Sequence, residues 1–203
     1  MIGISCPCPS DCENPELPAV NFSDCPEAFA EELSQISEVL VSVEDPENPG
    51  QPLYAPTDPS SAADWIAAFA DTGAGIRRLI GIGNIPRPES NVRDISKRRK
   101  KAGLKTYTLN FNIDEVTQEN YDFIRTLSCG AKLVIWYATL GGYVYGGATG
   151  FTVNVVASDP VWEEDQNAYV RLELVLEWQS KCAPTRAAYP LADDAIAPGP
   201  GGE

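Results

Sequence analysis

Alternation of apolar and polar residues is clearest between positions 168 and 178. Val170, Leu172, Leu174, Leu176 and Trp178 share one face, and Tyr169, Arg171, Glu173, Val175 and Glu177 share the other. A period of two predicts a strand with one buried face, whose other face can meet solvent, a partner subunit or a lumen. Residues 104–113 repeat the pattern, with Tyr107, Leu109, Phe111 and Ile113 opposite Thr106, Thr108, Asn110 and Asn112. Further strands are predicted at 36–43, stopped by Asp45-Pro46, and at 76–82, ending at Gly83. An apolar run at 132–138 follows, then 143–145 and 151–157, separated by the turns Gly141-Gly142 and Gly146-Gly147.

Helical spacing occurs in three places. Residues 117–127 place Tyr121, Ile124 and Leu127 or Ser128 on one side, with acids in the first turn. Ser60 or Ser61 can cap a helix over 62–70, in which Trp65 and Phe69 form an i,i+4 pair. Asp24-Cys25-Pro26-Glu27 fits a capping box that opens a short helix with Phe29, Leu33 and Ile36 as its stripe. The sum is a mainly β chain with a minor α part: an antiparallel sandwich or barrel of about six strands with one packed helix. Prolines and glycines concentrate toward both ends. They divide the chain into an acidic cysteine-bearing arm (1–75) with short helices and a strand, a core (76–184) with a basic loop at 87–101, and a Pro/Gly-rich tail (185–203).

Charge changes this picture more than composition does. Residues 1–76 hold fourteen acids and no base, a net of −14. Residues 77–105 hold ten bases against Glu89 and Asp94, a net of +8, and residues 106–203 hold five bases and thirteen acids, a net of −8. Such segregation bears on association: an acidic arm and a basic loop can neutralise each other within a subunit or between identical copies. Arg93, Lys97, Arg98, Arg99, Lys100, Lys101 and Lys105 are therefore the candidate inter-subunit contact. A solvated loop, phosphate binding and a nuclear-import tag are the competing readings of the run. A sequence pI near 4.3 and the lack of aromatic residues inside the run argue against nucleic acid.

Candidate chemistry is sparse. The 203-residue chain has no histidine, which removes the commonest general base and zinc-enzyme ligand. Cys6, Cys8, Cys12 and Cys25 offer four soft ligands. Their spacing is not the paired Cys-x2-Cys of zinc sites, so free thiols or a disulfide compete with zinc. Cys129 and Cys182 read as small apolar side chains. Gly81-Ile82-Gly83 has proline where a dinucleotide fold needs its third glycine, and no Gly-Lys-Ser/Thr occurs. The expectation is no enzyme and no cofactor. No apolar run has the length of a bilayer span, and no basic leader opens the chain, so no membrane partner is expected.

The order of several segments adds a likeness. "DCPEAF" leads through acidic sequence to "RRLIGIGNIPRPES", then "ISKRRKKAGLKTYTLNFNIDEVTQENYDFIRTL", "GGYVYGGATGFTVNVV" and "YVRLELVLEWQSKCAPTRAAYPL". Over most of residues 22–190 this resembles the tail tube structural proteins of tailed phages and prophages of Bacteroidetes. The basic run before the long strand, the Asn120-Tyr121 helix and the Leu176–Gln179 strand ahead of Pro184 and Arg186 carry the likeness. The resemblance implies a β-sandwich with a flanking helix, assembled in the bacterial host cytoplasm into the virion tail. It also implies hexameric, stacked rings around a lumen that passes DNA transiently, with other tail or neck proteins as further partners. A capsid decoration, neck or head–tail connector protein is the alternative, and a small zinc- or nucleic-acid-binding module is a more distant one.

Overall fold

The computed structural model describes residues 34–69, 75–96, 99–127, 132–162 and 170–191. Nine strands and two helices follow in the order β1 (Ile36–Val43), α1 (Ala62–Phe69), β2 (Arg77–Asn84), β3 (Glu89–Ser96), β4 (Arg99–Ile113) and α2 (Gln118–Leu127). Then come β5 (Leu133–Thr139), β6 (Tyr143–Tyr145), β7 (Phe151–Val161), β8 (Arg171–Ser180) and β9 (Arg186–Ala188).

Six of the strands close a barrel. The hydrogen-bonded circuit runs β1-β2-β4-β8-β7-β5 and returns to β1 through an antiparallel β1–β5 ladder from Ile36↔Thr139 to Val43↔Leu133. Closure removes the open edges that a sandwich would leave. Three strands stand outside the circuit: β3 on β4, β6 on β5, and β9 on β6. The stave at 36–43, expected in the N-terminal arm, is thus integral to the barrel. Ile36 belongs to it, 3 % exposed, rather than to a helical stripe.

The period-two pattern sorts residues as expected in the two clearest strands. Leu172, Leu174, Leu176 and Trp178 of β8 are completely buried, and so are Leu109 and Phe111 of β4. The β4–β8 ladder holds them in register from Lys105↔Ser180 to Ile113↔Leu172. In β7, Val156 is an extra residue between Val155 and Ala157 where β8 advances by one, a bulge that leaves Val156 60 % exposed.

The barrel interior is filled. Trp178 stacks on Tyr107 (centroids 5.4 Å) and on Phe151 (5.1 Å), and Tyr137 stacks on Tyr145 (4.9 Å). Helix α2 adds Ile124 and Leu127 to this cluster, and the buried Ser158 hydroxyl donates to the Ile124 carbonyl.

A second core lies on the opposite side of β1 and β5. Leu40, Val134, Trp136 and Ala138 meet Trp65 and Ala68 of α1, with Tyr189 and Leu191 from the C-terminal segment. Both faces of β5 are therefore covered, which explains why 133–139 is apolar throughout and does not alternate. The same contacts correct the reading of 185–203 as a tail from its first residue, since β9, Tyr189 and Leu191 are part of the packed body. Of the two candidate caps, Ser61 serves α1: its hydroxyl accepts from the Asp64 amide (3.4 Å) and donates to the Asp64 carboxylate (3.1 Å). The helix expected around 24–36 falls, apart from its last residues, outside the described residues.

Candidate functional site: the basic hairpin

The basic segment is a β-hairpin, not a loop. Strand β3 pairs with the first part of β4 through Glu89↔Thr106, Ser90↔Lys105, Val92↔Ala102, Arg93↔Lys101, Asp94↔Lys100 and Ser96↔Arg99. Strands β2 and β3 lie along the same edge of β4, which β2 occupies at Asn110–Ile113. The residues between them contain Pro86 and Pro88, which have no N–H to donate, so the ladder breaks there. That gap forms a 260 Å³ cavity lined by Arg87, Glu89, Thr106, Thr108 and Glu177 besides the two prolines.

Strand β4 is 15 residues long, but its ladder with β8 begins only at Lys105. Residues 99–104 have β3 on one edge and no strand on the other among the described residues, and the outer edge of β3 is likewise without one. The hairpin thus extends beyond the barrel wall. From Arg87 to Lys105 it carries eight bases and two acids. In register, Asp94 stands opposite Lys100 and Arg93 opposite Lys101. Of the candidate contact residues, Arg93 lies in β3, Arg99, Lys100, Lys101 and Lys105 lie in β4, and Lys97 and Arg98 lie outside the described residues.

The base of the hairpin is anchored next to Cys182. The Cys182 carbonyl accepts from the Tyr107 hydroxyl (3.3 Å) and from the Ser180 hydroxyl (2.9 Å), and Ser180 is the register partner of Lys105. Cys182 is disulfide-bonded, which corrects its reading as an apolar filler. The other five cysteines, Cys6, Cys8, Cys12, Cys25 and Cys129, all lie outside the described residues, and the zinc alternative falls there with the first four. Among the described residues no three metal-binding side chains come together.

A buried polar cluster escaped the sequence reading. Glu38, 2 % exposed, accepts from Arg78 at Nε and at Nη2 (2.7 Å each) and from the Tyr189 hydroxyl (2.8 Å). It ties β1, β2 and the C-terminal segment together. A lone glutamate inside the apolar run 36–43 was its signal, since a buried carboxylate requires a partner.

Burial, with Glu38 beside it, pushes the Tyr189 phenol far above its ordinary range, and burial with Tyr145 and Tyr107 nearby does the same for Tyr137. The unfolded chain ionises both near pH 10 while the folded chain keeps them neutral, so stability is complete below that pH and falls above it. Each should contribute a loss of about 1.4 kcal/mol per pH unit above about pH 10. Denaturant midpoints measured from pH 9 upward test this, and Tyr189→Phe should flatten the slope by about half. No protein-family model, curated protein or solved structure matches the chain.

Proposed function

We propose that the chain is a structural subunit of a phage tail tube, which joins copies of itself into rings and stacks of rings. The observation that carries this reading is the basic hairpin. It extends past a closed barrel, offers two strand edges without partner strands among the described residues, and belongs to a chain of net charge −14. Open edges invite another strand, and lysine and arginine along them reject all but an acidic one. A second copy of this chain supplies that chemistry. The aromatic filling of the barrel means that a DNA-conducting lumen would lie between subunits, not inside one. An acidic wall suits such a lumen, because DNA slides past it without binding.

Electron microscopy of the purified full-length protein is the direct test, with annular particles or tubes as the expected result. A protein that stays monomeric in sedimentation at high concentration, with no rings on the grid, would overturn the proposal. In particles, a copy number matching tail length rather than a single ring separates tube from neck or connector.

A further inference from the structure

The buried Glu38 cluster opens onto a cavity of about 300 Å³ between β1, β2 and the end of β5. Three of its lining side chains are apolar and outward: Ile80, Ile82 and Leu140 are 46 %, 55 % and 54 % exposed. The others belong to Gln35, Ser37, Glu38, Asp114, Thr139 and Tyr189. Each of those six carries an oxygen that can accept a hydrogen bond, and the lining holds no lysine or arginine. An anion placed there would meet two carboxylates and no cation. The lining therefore favours a ligand that donates hydrogen bonds and carries positive charge.

Two buried groups have acceptor capacity to spare. Glu38 Oε2 accepts from Arg78 Nε and from the Tyr189 hydroxyl, whereas Oε1 accepts from Arg78 Nη2 alone. A carboxylate has about four acceptor positions, so one stays open on Oε1. Thr139 is 6 % exposed, and its hydroxyl oxygen has no hydrogen-bond partner among the described residues. A buried hydroxyl without a partner carries a desolvation cost that a donor on a ligand would recover. Charge points the same way. Arg78 offsets Glu38, so the exposed Asp114, in no ion pair among the described residues, leaves the cavity negative in a chain of net charge −14. The volume lies at the lower end of small-molecule sites, which limits the ligand to a few carbon atoms.

We propose that this cavity binds the ammonium group of a short aliphatic amine. Glu38, Asp114 and Thr139 are the acceptors, and Ile80, Ile82 and Leu140 cover the hydrocarbon body. The site belongs to the single subunit and stands whether or not rings form. Saturation-transfer difference NMR of n-butylammonium with the full-length protein tests it, because the signal reads on the ligand in subunit and assembly alike. The expected result is saturable binding with a dissociation constant on the order of 1 mM, within the ceiling for so small a ligand. Butyrate, of equal length and opposite charge, should give no saturable signal. Asp114→Asn and Thr139→Val should each weaken binding by at least about threefold. Nα-acetyl-lysinamide carries the same alkylammonium on a peptide body and separates two sources. Comparable affinity assigns the site to a lysine of another chain, and rejection assigns it to a free amine. Absence of saturation by either amine up to about twenty times the expected constant overturns the proposal. Equal binding of butyrate overturns it too, as does affinity unchanged by Asp114→Asn. If Thr139→Val does not fold, the exposed Asp114 variant decides by the same readout.

Discussion

Reversing Arg99, Lys100 and Lys101 to glutamate should abolish assembly while leaving the barrel folded. The three residues lie on β4 beyond its ladder with β8, so the barrel contacts from Lys105 to Ile113 are untouched. Each exposed ion pair is worth about 0.2–1 kcal/mol, and reversal replaces attraction by repulsion of similar size. Three such changes should raise the concentration needed for assembly by at least about tenfold for every interface formed. The variant moves the net charge from −14 to −20, two units at each of three positions. A general increase in self-repulsion could therefore imitate the effect. The control is Arg125→Glu, Lys132→Glu, Lys181→Glu, which carries the same charge with the hairpin intact and should still assemble. High salt provides an independent check: at about 1 M the screening length falls to about 3 Å, which should weaken the parent assembly. Sedimentation and microscopy of both variants, beside matched thermal melts, give the readout. Assembly of the hairpin variant at the parent concentration would remove the hairpin from the interface.

The hairpin also shows where sequence reading stops. Strands β4 and β8 announce themselves because one face is buried, and burial imposes a period of two from Leu172 to Trp178. Strand β3 has no such signature. Its sequence, Glu89 to Ser96, does not alternate, with Val92 and Ile95 three positions apart, so Arg87–Lys101 reads as a loop although its backbone pairs with β4. The three-residue strands β6 and β9 are too short for periodicity to register, which makes β9 look like the start of a tail. Barrel closure is hidden for a different reason. The β1–β5 ladder joins residues 36–43 to 133–139, and nothing local to either segment specifies that partner. Strand β5 hints at it, because an uninterrupted apolar run needs cover on both faces. Of the candidate contact, charge density was legible, whereas its display on strand edges was not.

The aromatic cores offer a test in which two tryptophans of equal burial behave differently. Trp178 and Trp136 are both completely buried. Either one changed to alanine should cost about 3–5 kcal/mol, enough to consume much of the stability of a domain this size. Their indole N–H groups differ. Trp136 donates to the Gly147 carbonyl (2.8 Å), which fixes the Gly146-Gly147 turn against β5, whereas the Trp178 Nε1 has no partner among the described residues. Phenylalanine at 136 loses that bond and strands a carbonyl, a cost of about 1–3 kcal/mol added to the lost volume. Phenylalanine at 178 removes a buried donor that was unsatisfied, which offsets part of the lost packing against Tyr107 and Phe151. Trp178→Phe should therefore destabilise by at least about 1 kcal/mol less than Trp136→Phe in denaturant titrations. Equal losses would mean that the Trp178 N–H is satisfied in solution. The barrel interior would then hold a polar partner for it, and the account of a wholly aromatic and aliphatic filling around Trp178 would have to be revised.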